Sequence, residues 1–145
     1  MAVTGKMFGN LTLQMGAKEH GFIADSIKCM LTTVTYVPDQ DVHDYYNDVT
    51  NEVTGTGYTA GGAALGTKTF TYTAATNKVV FDAADTVWTT STITARNAVV
   101  YNDTPAATTA KGLLCYQASD ADISSTAGDF TVAWAAAGIL EWTIT

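Results

Sequence analysis

From residue 67 onward, polar and apolar positions alternate along the chain. Thr67, Thr69, Thr71 and Thr73 fall on one side, and Lys68, Phe70 and Tyr72 on the other. This period of two predicts a half-buried strand over residues 67–73. Ala75-Thr76-Asn77 supplies a turn, and residues 78–82 return through Val79, Val80 and Phe81. A short strand over residues 85–88 and a long one over residues 92–102 follow. The run Ala98-Val99-Val100-Tyr101 in the latter predicts burial on both faces. Asp103-Thr104-Pro105-Ala106 interrupts the pattern, and residues 111–118 resume it. Residues 119–125 predict a polar loop. Residues 129–134 alternate Phe130, Val132 and Trp134, and residues 139–145 close the sheet through Leu140, Trp142 and Ile144 after the turn Ala135-Ala136-Ala137-Gly138.

The N-terminal half is less regular. Residues 26–37 predict a strand that Pro38 ends, because proline cannot donate to the ladder. Residues 39–49 are the most polar segment, with Asp41 placed to cap a single helical turn. Residues 54–62 form a glycine-rich loop. Over residues 4–19, Met7, Leu11 and Met15 recur every four positions with Phe8 beside them, as on one helical face, while Leu11, Leu13 and Met15 also alternate as in a strand. Gly5, Gly9 and Gly16 weaken both patterns. The helical pattern is preferred, with His20-Gly21 as its stop. Such a helix either caps the core or serves as an arm that docks on a neighbouring subunit. The expected fold is mainly β: an antiparallel sandwich or barrel of about eight strands at roughly ten-residue spacing. A helix or docking arm over residues 1–25 precedes the β body of residues 26–145 in one domain overall.

Composition sharpens this. At 145 residues and 15.3 kDa the chain suits one domain. Threonine, β-branched and suited to strands, occurs 26 times, while 22 alanines make the bulky core set smaller than 47% hydrophobic content implies. Charged residues are only 14%, which argues against an acidic disordered chain. Net charge is −7, and six lysines with Arg96 form no basic stripe, which argues against nucleic acid and anionic membranes as partners. The apolar stretch over residues 132–140 is too short to span a bilayer, and no continuous apolar leader opens the chain, so a soluble product of cytoplasmic synthesis is expected. Cys29 and Cys115 lie in apolar runs and read as buried thiols.

Candidate chemistry is sparse. Gly55-x-Gly57-x-x-x-Gly61 misses the dinucleotide fingerprint by one residue, has no β-α-β frame, and lacks a phosphate-loop lysine, so it reads as a tight loop. Asp39, Asp41 and Asp44 resemble the start of a calcium loop, but His43 and Asp44 break the pattern and Thr50 stands where a bidentate glutamate belongs. His20 and His43 are the two histidines, no nucleophile elbow or Cys-x-x-Cys occurs, and Glu19, Glu52 and Glu141 are scattered. No catalytic, cofactor or metal residue is therefore assigned. Asn10-Leu11-Thr12 and Asn102-Asp103-Thr104 match a glycosylation pattern by chance in a chain without an export signal. Trp88, Trp134 and Trp142 read as core. Tyr36, Tyr45, Tyr46 and Tyr58 flank polar loops, where aromatics anchor protein contacts. With Met7, Phe8 and Leu11 of the N-terminal segment, they are the candidate partner-contact residues.

Several segments add a resemblance. Tyr36-Val37-Pro38-Asp39-Gln40-Asp41-Val42-His43-Asp44, Asn51-Glu52-Val53-Thr54-Gly55-Thr56-Gly57-Tyr58-Thr59-Ala60-Gly61-Gly62 and Ile93-Thr94-Ala95-Arg96-Asn97-Ala98-Val99-Val100-Tyr101 resemble a family of small structural proteins of tailed bacteriophages. The closing Gly128-Asp129-Phe130-Thr131-Val132-Ala133-Trp134 and Ala136-Ala137-Gly138-Ile139-Leu140 fit it as well. The resemblance covers roughly residues 26–145 and implies a virion component. The favoured role is a capsid decoration or cement protein on the outer shell, bridging major capsid protein subunits and contacting copies of itself, with a trimer as one arrangement. A tail, neck or baseplate component is the alternative, and a carbohydrate-binding sandwich a lower one. An acidic body suits an outer surface facing away from packaged DNA.

Overall fold

In a computed structural model, residues 3–145 are described, with side chains from Lys6 onward. The first two residues of the expected N-terminal arm lie outside the described residues. Eight strands form two antiparallel sheets, a sandwich and not a closed barrel. The larger sheet has the order β1-β7-β6-β2-β3, from β1 (Val3–Met7), β7 (Leu113–Val132), β6 (Thr86–Asn102), β2 (Ile27–Thr32) and β3 (Ala63–Ala64). The smaller has the order β4-β5-β8, from β4 (Thr69–Thr73), β5 (Lys78–Asp82) and β8 (Leu140–Thr143). Helix α1 (Leu11–Gly16) and a 3-10 turn (Tyr46–Asp48) are the helical elements.

The β6–β7 hairpin is the frame. Its inner half is buried on both faces, as the run from Ala98 to Tyr101 predicts. Across the strands, Cys29, Val100 and Cys115 share one row, and Met30, Val99 and Tyr116 the next. The first row belongs to the main core, where Leu31, Val100 and Leu114 meet Phe81 and Leu140 of the smaller sheet. The second belongs to a separate cluster of Phe8, Met30, Tyr36, Val99, Tyr101 and Leu113, with Tyr46 and Val49 against it. The long polar segment after β2 therefore acts as a lid over the second face of the larger sheet.

Several expected boundaries change. The short strand expected at residues 85–88 and the long one at residues 92–102 are a single strand, kinked where Thr90 adopts φ 51° and the register shifts between Trp88 and Ser91. The polar loop expected at residues 119–125 is the middle of β7. One face of this half of the hairpin still packs on the main core through Ile93, Ala95 and Ile123, while the other faces water. Polar side chains pair across the strands: the buried Ser91 Oγ with Ser125 Oγ and the exposed Thr94 Oγ1 with Ser124 Oγ, both at 2.7 Å, and Arg96 with Asp122 at 2.8 Å. Strand β2 stops five residues before the expected end at Val37, because the buried Asn97 amide donates to the Tyr36 carbonyl at 2.9 Å and Thr32 Oγ1 at 3.1 Å, turning the chain over the sheet edge.

The N-terminal segment departs from the helix expected over residues 4–19: its first part is a strand, while the alternating Leu11, Leu13 and Met15 lie in a helix. Residues 3–7 pair antiparallel with β7, and the helix starts only at Leu11 and ends at Gly16, before the expected stop at His20-Gly21. Lys18 at φ 62° follows it, and Glu19 N–H closes on the Gln14 carbonyl at 2.9 Å. In the glycine-rich loop, Gly62 has φ 74°, and a Cβ there would lie 1.9 Å from the Cys29 carbonyl oxygen, so only glycine lets the loop lie against β2.

Candidate functional site

The seven candidate contact residues divide by burial. Phe8, Leu11 and Tyr36 are buried in this chain's own core, which corrects their expectation as partner contacts. Pairing of β1 along β7 carries Phe8 and then Leu11 of α1 over the core, and capture of the Tyr36 carbonyl by Asn97 draws Tyr36 against the sheet. Met7 is half-buried against the main core. Tyr58 is also structural. Its hydroxyl donates to Glu52 Oε1 at 2.8 Å and accepts the Leu31 N–H at 2.9 Å, and its ring stacks on Trp88. Tyr46 leans on Tyr101 with ring centroids 5.0 Å apart, and Lys111 Nζ lies 5.5 Å from its centroid. Tyr45 and Tyr46 remain half-exposed.

What the fold presents instead lies between these aromatics. Val34, Val37 and Val42 are 50%, 75% and 67% exposed, on the segment of residues 33–49 that covers the larger sheet. The same segment carries the carboxylates Asp39, Asp41 and Asp44. Exposed apolar side chains among charged ones are the composition of a protein contact. A depression of about 380 Å³ lies beside it, lined by Val34, Tyr36, Val37, Pro38 and Tyr116, with Lys6 and Arg96 at its border.

The segment is held firmly from below. The Tyr36 hydroxyl and the Asp39 N–H both meet His43 Nδ1, at 3.0 and 3.1 Å, and the two rings stack. An Nδ1 that accepts twice carries its proton on Nε2. Burial, and then the nearby Asp48 charge, push the Tyr36 hydroxyl well above its ordinary range, so it stays a donor. Asp48 Oδ2 accepts the N–H groups of Asp44 and Tyr45, both at 2.9 Å, and fixes the 3-10 turn. Backbone bonds from Gly9 to Gln40 at 2.7 Å and from Leu113 to Asp44 at 2.9 Å tie the segment to both of its neighbours. The helical turn thus forms at Tyr46–Asp48, later than the Asp41 cap predicts, because Asp48 supplies the acceptor.

The acidic residues do not converge on a cation: among the described residues, no group of three or more His, Cys, Asp or Glu side chains is placed to hold a metal. Asp39 Oδ1 instead accepts the Asp41 N–H at 3.0 Å. Trp88 and Trp134 are buried, and Trp142 is half-buried against the main core. Cys29 and Cys115 are free thiols flanking Val100. Two strand spacings separate them by roughly 10 Å, beyond the reach of about 7 Å that a disulfide needs. Burial pushes the Cys115 thiol up to about 12 and the Cys29 thiol higher still.

A second polar cluster lies under the helix. Asn102 Nδ2 reaches Asp25 Oδ2 at 2.7 Å and His20 Nδ1 at 3.3 Å, and His20 Nε2 meets Gln14 Oε1 at 2.8 Å. Nearby, Asp103 takes both Lys28, at 2.7 Å, and Lys111, at 2.5 Å. Neither cluster was legible as a unit, since its members come from segments more than 70 residues apart.

No helix among the described residues is long and apolar enough to cross a membrane. Comparison of the chain with models of protein families, with curated proteins and with solved structures finds no match.

Proposed function

We propose that this chain is a structural protein of a tailed-bacteriophage virion: a capsid decoration or cement protein that grips the outer shell and bridges neighbouring major capsid subunits. The observation that carries the proposal is the hydrogen-bonded segment of residues 33–49, with Val34, Val37 and Val42 offered to solvent on a stretch that also carries Asp39, Asp41 and Asp44. Three exposed valines on a mobile loop would cost ordering entropy on binding, whereas here the backbone is already fixed by His43, Asp48 and Asn97. The same segment carries part of the resemblance to phage structural proteins. A net charge of −7 suits an outward-facing body.

The action is adhesion, not turnover. Both histidines are committed to structural hydrogen bonds, His43 to Tyr36 and His20 to Gln14. The two thiols are sealed in the core. A clamp of this kind stabilises only the assembled lattice that it recognises, by mass action. Many copies on a repeating shell add their modest contacts, since each bridge raises the effective concentration of the next.

The experiment is reattachment to shells stripped of the chain. Wild-type protein re-saturates them. Val37→Asp retains its melting temperature, because surface changes of this kind alter stability by about 0.5 kcal/mol or less, and binds at least about tenfold more weakly. Equal binding by Val37→Asp and by a Val34→Asp/Val42→Asp double variant contradicts the proposed surface.

A further inference from the structure

We infer that two copies of this chain associate through the free edge of β4, joining their smaller sheets across a two-fold axis into one continuous sheet of order β8-β5-β4-β4-β5-β8. The starting point is a comparison of the four edge strands. An open edge invites pairing with another chain, and proteins commonly blunt it with a charge, a break or shortness. Here β3 has two residues, β8 carries Glu141, and β1 carries Lys6 beside Gly5. Strand β4 has none of these. It is Thr69-Phe70-Thr71-Tyr72-Thr73, with no charge, proline or glycine, and every residue is exposed. Among the described residues it pairs with β5 alone.

The occupant follows from the strand itself. Threonine and aromatic positions read the same in both directions, so an antiparallel pairing of two copies centred on Thr71 is self-complementary. Phe70 of each copy faces Tyr72 of the other, and Thr71 faces its own equivalent. Aromatic–aromatic and Thr–Thr cross-strand pairs both stabilise a sheet. The aromatic side chains currently lack that cover: Phe70 is 39% exposed and Tyr72 56% exposed, although they lie on the face that packs against Phe22 and Trp142. The contact continues into an apolar groove between α1 and the smaller sheet, lined by Met15, Phe70, Val79, Trp142 and Ile144.

Charge permits the pairing. In the joined sheet, the row through Thr69 runs from Asp82 of one copy to Lys78 of the other, because Thr69 pairs with Asp82 and Thr73 with Lys78. The symmetric row does the same in reverse, so opposite charges lie at the two ends of each row. Glu141 is already paired with Lys78 at 2.7 Å. Two bodies that each carry −7 thus meet along an uncharged strip. A two-fold contact of this kind is isologous and closes at the dimer. It does not depend on the virion reading, since it requires only the isolated chain.

The test is the mass of the purified chain in a dilution series by sedimentation equilibrium. The wild type is expected to rise from 15.3 kDa toward twice that mass as concentration increases. Thr71→Lys and Thr71→Glu each place like charges face to face on the axis, and each is expected to raise the dimer dissociation constant at least about tenfold. An equimolar mixture of the two restores association. Thr71→Cys adds a second readout: the two thiols face each other within disulfide range, and a reducible dimer forms on mild oxidation while Cys29 and Cys115 stay buried. A wild type that stays at 15.3 kDa throughout overturns the inference. So does association that neither charged variant weakens, or a Thr71→Cys variant that does not cross-link. None of these outcomes bears on shell binding through residues 33–49.

Discussion

His20 sits where a proton would break the packing around it. Its Nδ1 faces the amide nitrogen of Asn102, which can only donate, so the ring is held neutral with the proton on Nε2 toward Gln14. Burial lowers its pKa from the ordinary 6.5, and the nearby Asp25 charge only partly offsets this. The unfolded chain therefore binds the proton first as pH falls. The stability His20 contributes is complete above pH 6.5 and is lost progressively below it. Asp103 acts at lower pH. Burial opposes its ionisation, but hydrogen bonds and charge from Lys111 and Lys28 outweigh that and hold its pKa below 3.8, so its share is lost as pH falls through that range. Melting temperature is expected to fall between about pH 7.5 and about pH 5.5, and His20→Asn to flatten that step. An unchanged slope in the variant contradicts the assignment. None of this was visible along the chain. Tyr36 was misplaced for the same reason: beside a polar loop it looks like a surface aromatic, and the residue that pulls it inward, Asn97, is 61 positions away.

At the scale of elements, the periodicities located most of the body. The run from Ala98 to Tyr101 and the return through Phe81 fall in strands, and the alternation over residues 67–73 does so from Thr69 onward, with every residue of that strand exposed where half-burial is expected. Breaks in the polar–apolar pattern at residues 89–91 and 119–125 predict strand ends, where the structure has irregular pairing within continuous strands. Thr90 and Ala127 adopt positive φ without the glycine or asparagine that marks such positions. The N-terminal segment changes role for a related reason. An arm over residues 1–25 would be dispensable to the core, but β1 pairs with β7 and Phe8 is fully buried, so residues 3–8 belong to the β body. Phe8→Ala is expected to cost about 3–5 kcal/mol in chemical denaturation. Deleting residues 2–20 should leave a chain without a cooperative transition. A truncated chain that melts like the full one contradicts this.

For the molecule as a whole, two surfaces stand out, at different places in the fold. The segment over residues 33–49 covers one face of the larger sheet, and the β4 edge bounds the smaller one. If both proposals hold, a single copy engages a shell and another copy at once. The exposed valines stand among aspartates in the sequence, so hydrophobic pattern alone does not mark them, whereas the tyrosines beside the loops are conspicuous. Burial of Tyr36 and half-burial of Tyr45 and Tyr46 leave Val34, Val37 and Val42 as the exposed apolar side chains.

The proposed role, a repeated adhesive component of a phage shell, is tested by counting copies of the chain per purified particle by quantitative mass spectrometry against the major capsid protein. On the order of hundreds of copies are expected for a subunit repeated over a symmetric shell. Absence from the particle, or a count of roughly six to a few dozen as in a tail or neck ring, would contradict it.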